Sequence, residues 1–123
     1  MKKIYDFSGE PAYRNYTIKD LFHLKGKKKL SQINVKNSLE AKIAVEANID
    51  LLITGYKVIK EIRKVAKHKF LTVAIPFTEF KTNNEILSAS LNALEQGADA
   101  VCTARSPKIV NKSYFIKLMK VTT

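Results

Sequence analysis

The stretch Asn48-Ile49-Asp50-Leu51-Leu52-Ile53-Thr54-Gly55-Tyr56-Lys57 decides the fold. Asp50 to Thr54 is a short apolar run rich in branched side chains, with Gly55 to break it, and it reads as a buried strand. The residues after Gly55 return to helical spacing: Val58, Ile59, Ile62, Val65 and Ala66 form one apolar stripe, with lysines left for water. The residues before it do the same, with Leu39, Ile43 and Ala47 at i, i+4 and i+8. A buried strand between two helical patterns is one step of the strand-helix alternation from which βαβ units are built. In such a unit the residues just past the strand, here Tyr56 and Lys57, sit where chemistry is done.

Outward from this strand the alternation continues. Leu30 to Val35 is a first strand, weakened by Ser31 and Gln32. Phe70 to Ile75 is a third, closed by Pro76, and Ala98 to Thr103 is a fourth. Thr82 and Glu85 form a capping box for a helix with Leu87, Leu91 and Leu94 on one face and Gly97 at its end. Tyr114 to Lys120 reads as a last helix. Residues 1–16 read as an irregular arm whose Tyr5, Phe7, Tyr13 and Tyr16 pack on the body or on a neighbouring subunit. Thr17 and Asp20 resemble a capping box for a short helix carrying Ile18, Leu21, Phe22 and Leu24, ended by Gly26. The pattern predicts an α/β chain with four parallel strands, half of a TIM-type barrel. Residues 1–26 form the arm and short helix, and residues 27–123 the half-barrel. A half-barrel leaves open strand edges and an apolar sheet face, so self-association is expected to complete it, with cover by the arm as the alternative.

The chain has 123 residues, 46% hydrophobic and 27% charged, which suits one globular domain. No apolar run is long enough to cross a bilayer, and no apolar core of a signal peptide follows the basic start. One cysteine, Cys102, cannot form an internal disulfide, and a cytoplasmic location fits. Inside an apolar strand, Cys102 reads as an inert core residue. His23 and His68 show no metal-ligand spacing and read as surface residues. The net charge of +11 points to an anionic partner or to solvated lysines. Only three arginines are present and no nucleic-acid module is recognisable, so nucleic acid ranks below a small anion.

The run TIKDLFHLKGKKKLSQINVKNSLEAKIAVEANIDLLITG, Thr17 to Gly55, resembles the N-terminal part of the ketopantoate hydroxymethyltransferase family. That family typically shows a T-I-K-D-L helix, K-G-K-K, a strand L-T-A-Y-D, then A-K-L-A-D-E-A-G-V-D and a strand ending V-G-D-S. Leu71 to Phe77 (LTVAIPF) resembles its V-V-A-D-L-P-F, and LEQGADAVCTA resembles its A-G-A-D-A-V-K-L-E. The resemblance implies an eight-fold barrel of the phosphoenolpyruvate/pyruvate type. It also implies transfer of a hydroxymethyl group from methylene-tetrahydrofolate to ketoisovalerate, with magnesium holding the enolate. This chain departs from that pattern at each acid that supports the metal. Tyr56 and Lys57 stand at the aspartate and serine of V-G-D-S. Ala74-Ile75-Pro76 is one residue short of A-D-L-P, and Cys102, Thr103 and Ala104 replace K-L-E. Asn37 stands at the aspartate of T-A-Y-D.

Read from the residues alone, the strand ends present Lys36, Asn37, Tyr56, Lys57, Thr78, Glu79, Arg105 and Ser106. Lone Glu79 among cations is a poor magnesium site, so no metal and no cofactor is expected. Lys36, Asn37, Tyr56, Lys57, Arg105 and Ser106 are instead the candidates for holding a small anion such as a keto acid or phosphate. The leading expectation is a degenerate binding module that holds a small anion or a protein partner. The alternatives are a reduced but active keto-acid enzyme, with Lys36 or Lys57 as a Schiff-base lysine, and a basic nucleic-acid-binding protein.

Overall fold

The computed structural model describes residues 1–103. The predicted helix Tyr114 to Lys120 and the candidate residues Arg105 and Ser106 lie outside the described residues. A four-stranded sheet forms the centre, built from β3 (Gln32–Val35), β4 (Leu51–Gly55), β5 (Phe70–Ala74) and β6 (Ala100–Cys102). The spatial order is β3-β4-β5-β6, every pairing is parallel, and the order in space equals the order in sequence. Helices α2 (Ser38–Glu46), α3 (Ile59–Val65) and α4 (Asn83–Glu95) are the crossovers. Each predicted strand is present; β4 is as long as expected but shifted by one residue, and the other three are shorter than their apolar runs, because pairing with the neighbour, rather than hydrophobicity, sets where a strand ends.

Register explains the layering. Val35 pairs with Thr54, Thr54 with Val73 and Val73 with Val101, so these residues share one face with Leu52 and Leu71. That face meets all three helices. Ala41 and Ala44 of α2 and Ile62 of α3 pack on Val35, Leu52 and Leu71. Ile59 of α3 and Ala89 and Ala93 of α4 pack on Val73 and Val101. Buried Thr54 satisfies its hydroxyl by donating to the Val35 carbonyl at 2.8 Å. The other face carries Asn34, Ile53, Thr72 and Ala100 in one row. Asn34 is exposed and the other three are only half-buried.

Two helices bury a different side from the one expected. In α2 the buried residues are Ala41 and Ala44, while Leu39 and Ile43 are 66% and 56% exposed. In α4 they are Ile86, Ala89, Ser90 and Ala93, and Leu87 and Leu91 point outward. Small residues let a helix lie close to the sheet, and that packing overrides the larger leucines. Ile33 on the outer strand β3 is also exposed.

The N-terminal arm is not irregular. β1 (Lys2–Tyr5) and β2 (Pro11–Arg14) pair antiparallel through a loop in which Asp6 Oδ1 accepts the amides of Ser8 and Glu10. Gly9 takes a positive φ of 83° in that loop. Tyr5, Phe7 and Tyr13 are exposed rather than packed on the body. Helix α1 (Ile18–Leu24) begins with the expected box, Thr17 accepting from the Asp20 amide and Asp20 accepting from the Thr17 amide. It buries no residue fully. No helix among the described residues is long and apolar enough to cross a membrane.

Arg14, Asn15 and Tyr16 fasten the arm to the N-terminal ends of the strands. Asn15 donates its backbone amide to His68 O and its side chain to Asp50 O, and accepts from the Phe70 amide. Arg14 Nε and Arg63 Nη2 both reach Asp99, at 2.9 and 2.7 Å, and Asp99 also accepts from the Leu71 amide. Burial pulls the Arg63 guanidinium pKa down, and Asp99 opposes that shift. Gly97 makes room for this cluster. Its φ is +114°, and an added Cβ would lie 2.9 Å from Arg63 Cγ.

Candidate functional site

Parallel strands in sequential order bring every post-strand residue to one end of the sheet. At that end the chain forms a cleft of about 470 Å³, bordered by Asn34, Lys36, Gly55, Tyr56, Lys57 and Glu79. Such a volume suits a small molecule. Gly55 ends β4 with φ −79°, and no atom lies within 4 Å of where its Cβ would be. Glycine is therefore not required there by strain or crowding; its missing side chain leaves the floor of the cleft open.

The expected anion-binding residues take different parts. Lys36, directly after β3, is exposed and has no hydrogen-bond or ion-pair partner among the described residues. Lys57 Nζ lies 3.2 Å from Glu79 Oε1 in an exposed pair, which leaves the three charges of the cleft with a net of one positive. Tyr56 turns toward α4. Its hydroxyl accepts from Asn92 Nδ2 at 2.6 Å and its ring meets Phe80 edge-on at 5.0 Å. Tyr56 therefore forms a wall shared with a shallower neighbouring cleft that Asn84, Ser88 and Asn92 also line. Asn37 serves as the N-cap of α2, accepting from the Glu40 amide at 2.9 Å and donating to Glu40 Oε2. It does not border the cleft. The structure thus brings together Lys36, Tyr56 and Lys57, and gives Asn37 a helix to hold.

The donor set does not suit magnesium. The cleft's one carboxylate, Glu79, is already engaged by Lys57, and Lys36 stands on the same rim. No group of three metal-ligating side chains occurs among the described residues. Cys102, expected in the core, is exposed at the end of β6, and desolvation pushes its thiol pKa up, which keeps it protonated at neutral pH. The sequence reading missed Gly55 as the floor of the cleft and Asn92 as the partner of Tyr56. An asparagine on a helix gives no signal of that kind; a glycine ending a strand beside two polar residues does.

No family model, curated protein or solved structure matches the chain. The resemblance to the ketopantoate hydroxymethyltransferases rests on the quoted residues from Thr17 onward.

Proposed function

We propose that the chain is a half-barrel binding module, of the ketopantoate hydroxymethyltransferase type, that holds a small anion such as a keto acid or phosphate at the C-terminal ends of its strands. The observation that carries this reading is Lys36, without a partner among the described residues, beside the open floor at Gly55. A lysine at the mouth of a cleft that no described residue engages favours an incoming carboxylate or phosphate, and Lys57 can exchange Glu79 for it. The sequential parallel order with helices on one face supports the half-barrel, since a doubly wound sheet reverses order and covers both faces. Its completion by a second copy is supported by the apolar side chains left at its flanks: Ile33, Leu39 and Ile43 near β3, and Leu87 and Leu91 on α4. A cytoplasmic location belongs to the same proposal.

Thermal unfolding with and without ketoisovalerate or phosphate tests the reading. Saturating anion should raise the melting temperature, and Lys36→Ala and Gly55→Asp should abolish the shift without altering the melting of the free protein. Equal shifts in all three proteins would remove the cleft from the account. Formation of ketopantoate from ketoisovalerate and methylene-tetrahydrofolate would favour the enzyme over the module. Sedimentation should give a dimer that Ile43→Glu converts to a monomer. A second reading draws on the lysines Lys27, Lys28, Lys29, Lys67 and Lys69, which sit just before strands β3 and β5. A polyanion held there would bind with steep salt dependence, and a flat response to salt would eliminate it.

A further inference from the structure

The opposite end of the sheet holds a second cleft, of about 430 Å³, between the N-terminal hairpin and the body. Its walls are mainly apolar, with Ile4, Phe7, Ile18, Phe70 and Leu94 contributing, and Arg14 lines it as well. The Arg14 side chain is only 7% exposed. Its Nε is spent on Asp99, and its Nη1 donates to the carbonyls of Tyr13 and Lys67, at 3.1 and 2.8 Å. Nη2 has no acceptor among the described residues. A buried guanidinium nitrogen without an acceptor is costly in an interior that otherwise satisfies its polar groups.

The local charge is unbalanced in the same direction. Arg14 and Arg63 share the one carboxylate of Asp99, so the buried cluster carries one net positive charge. At the mouth, Lys19 and Asp6 offset one another. Asp99 is already engaged by three donors, with Oδ1 accepting from Arg14 and Oδ2 from Arg14, Arg63 and the Leu71 amide.

We infer that this cleft is a binding site for a small amphipathic monocarboxylate, whose head accepts from Arg14 Nη2 and whose apolar body lies against Phe7, Ile18, Phe70 and Leu94. One negative charge neutralises the surplus, and the apolar walls select a carboxylate with a hydrocarbon chain over a bare anion. The site is separate from the Lys36 cleft and does not depend on it.

Isothermal titration of the full chain with hexanoate, hexanol and inorganic phosphate tests the inference. Hexanoate should bind one per chain, at least about tenfold more tightly than hexanol or phosphate, because only it satisfies both the guanidinium and the apolar walls. Phe7 is half exposed, so Phe7→Glu should leave the fold intact, place a like charge at the wall and weaken hexanoate by about tenfold or more. Lys36→Ala should bind hexanoate as the parent does. Arg14→Lys, which keeps the charge but loses the planar fork, should also weaken binding, with its melting curve recorded alongside. The inference is overturned if hexanoate binds no better than hexanol or phosphate, if Phe7→Glu binds it unchanged, or if Lys36→Ala abolishes binding.

Discussion

Arg14, Arg63 and Asp99, at the N-terminal ends of the strands, keep side-chain exposures of 7, 13 and 9%, whereas Lys57 and Glu79, at the C-terminal ends, keep 78 and 44%. Around the first group the chain supplies carbonyls and an amide: Tyr13 O, Ala66 O, Lys67 O, Lys69 O, Gly97 O and Leu71 N–H. Around the second it supplies a glycine and open space. Buried ion pairs tolerate no loss of a partner, while exposed ones exchange partners readily. The difference separates the two ends physically: buried ion pairs hold the arm to the body at the lower end, and a solvated, exchangeable pair stands at the upper end.

Removing the shared carboxylate is the sharpest way to break this contrast. Asp99→Ala leaves two buried guanidinium groups unpaired and should cost about 3–5 kcal/mol in urea unfolding. A loss below about 1 kcal/mol would place that cluster among ordinary surface pairs. Asn15→Ala comes next. It strips partners from the Asp50 carbonyl and the Phe70 amide, and should cost about 1–3 kcal/mol by the same measurement.

At the other end, Lys57→Ala should change stability by no more than about 0.5 kcal/mol, because the pair it breaks is solvated. Its effect should appear instead in anion binding, and a large stability change would erase the distinction between the ends. The smallest effect concerns acid. The Ser31 amide, then the Ser31 hydroxyl, Lys28 and Tyr16 hold the Asp50 carboxyl below its ordinary pKa, against an opposing contribution from burial. Its pKa is lower folded than unfolded, so its contribution is present above the ordinary carboxylate range and lost as pH falls through the lower, folded value. Asp50→Asn should flatten the acid limb of the stability curve below about pH 4 and leave neutral stability less affected. An unchanged acid limb would remove Asp50 from the lower network.

Much of the fold was legible. The strand-helix alternation, the capping box at Thr17 and the turns at Gly26 and Gly97 follow from local chemistry and are present, while at Thr82 only half of the expected box forms: Thr82 caps the Glu85 amide, and the Glu85 side chain accepts from the Lys81 amide instead of that of Thr82. The buried side of α2 was not legible, because period alone cannot tell a close-packed alanine face from a larger apolar stripe beside it. The hairpin was missed because its turn is a loop closed by Asp6 rather than a two-residue turn. Of the candidate site, Lys36, Tyr56 and Lys57 were correctly placed together by strand ends alone. The cap role of Asn37 was readable in principle from Glu40 three residues later. The Arg14–Asp99–Arg63 cluster was not readable, since its members lie far apart along the chain. Its one hint was an aspartate set among apolar residues at the start of a strand.

That separation has a consequence for how the molecule is made. Asp99 lies 85 positions beyond Arg14 and 36 beyond Arg63. During synthesis the hairpin and the first two crossovers leave the ribosome before the carboxylate that joins them exists, and contacts so distant in sequence close late and slowly. Until Asp99 arrives, both arginines lack their carboxylate, and the arm is held through the Asn15 bonds to His68, Asp50 and Phe70. The last of the described strands to be translated therefore brings the carboxylate that pairs both arginines.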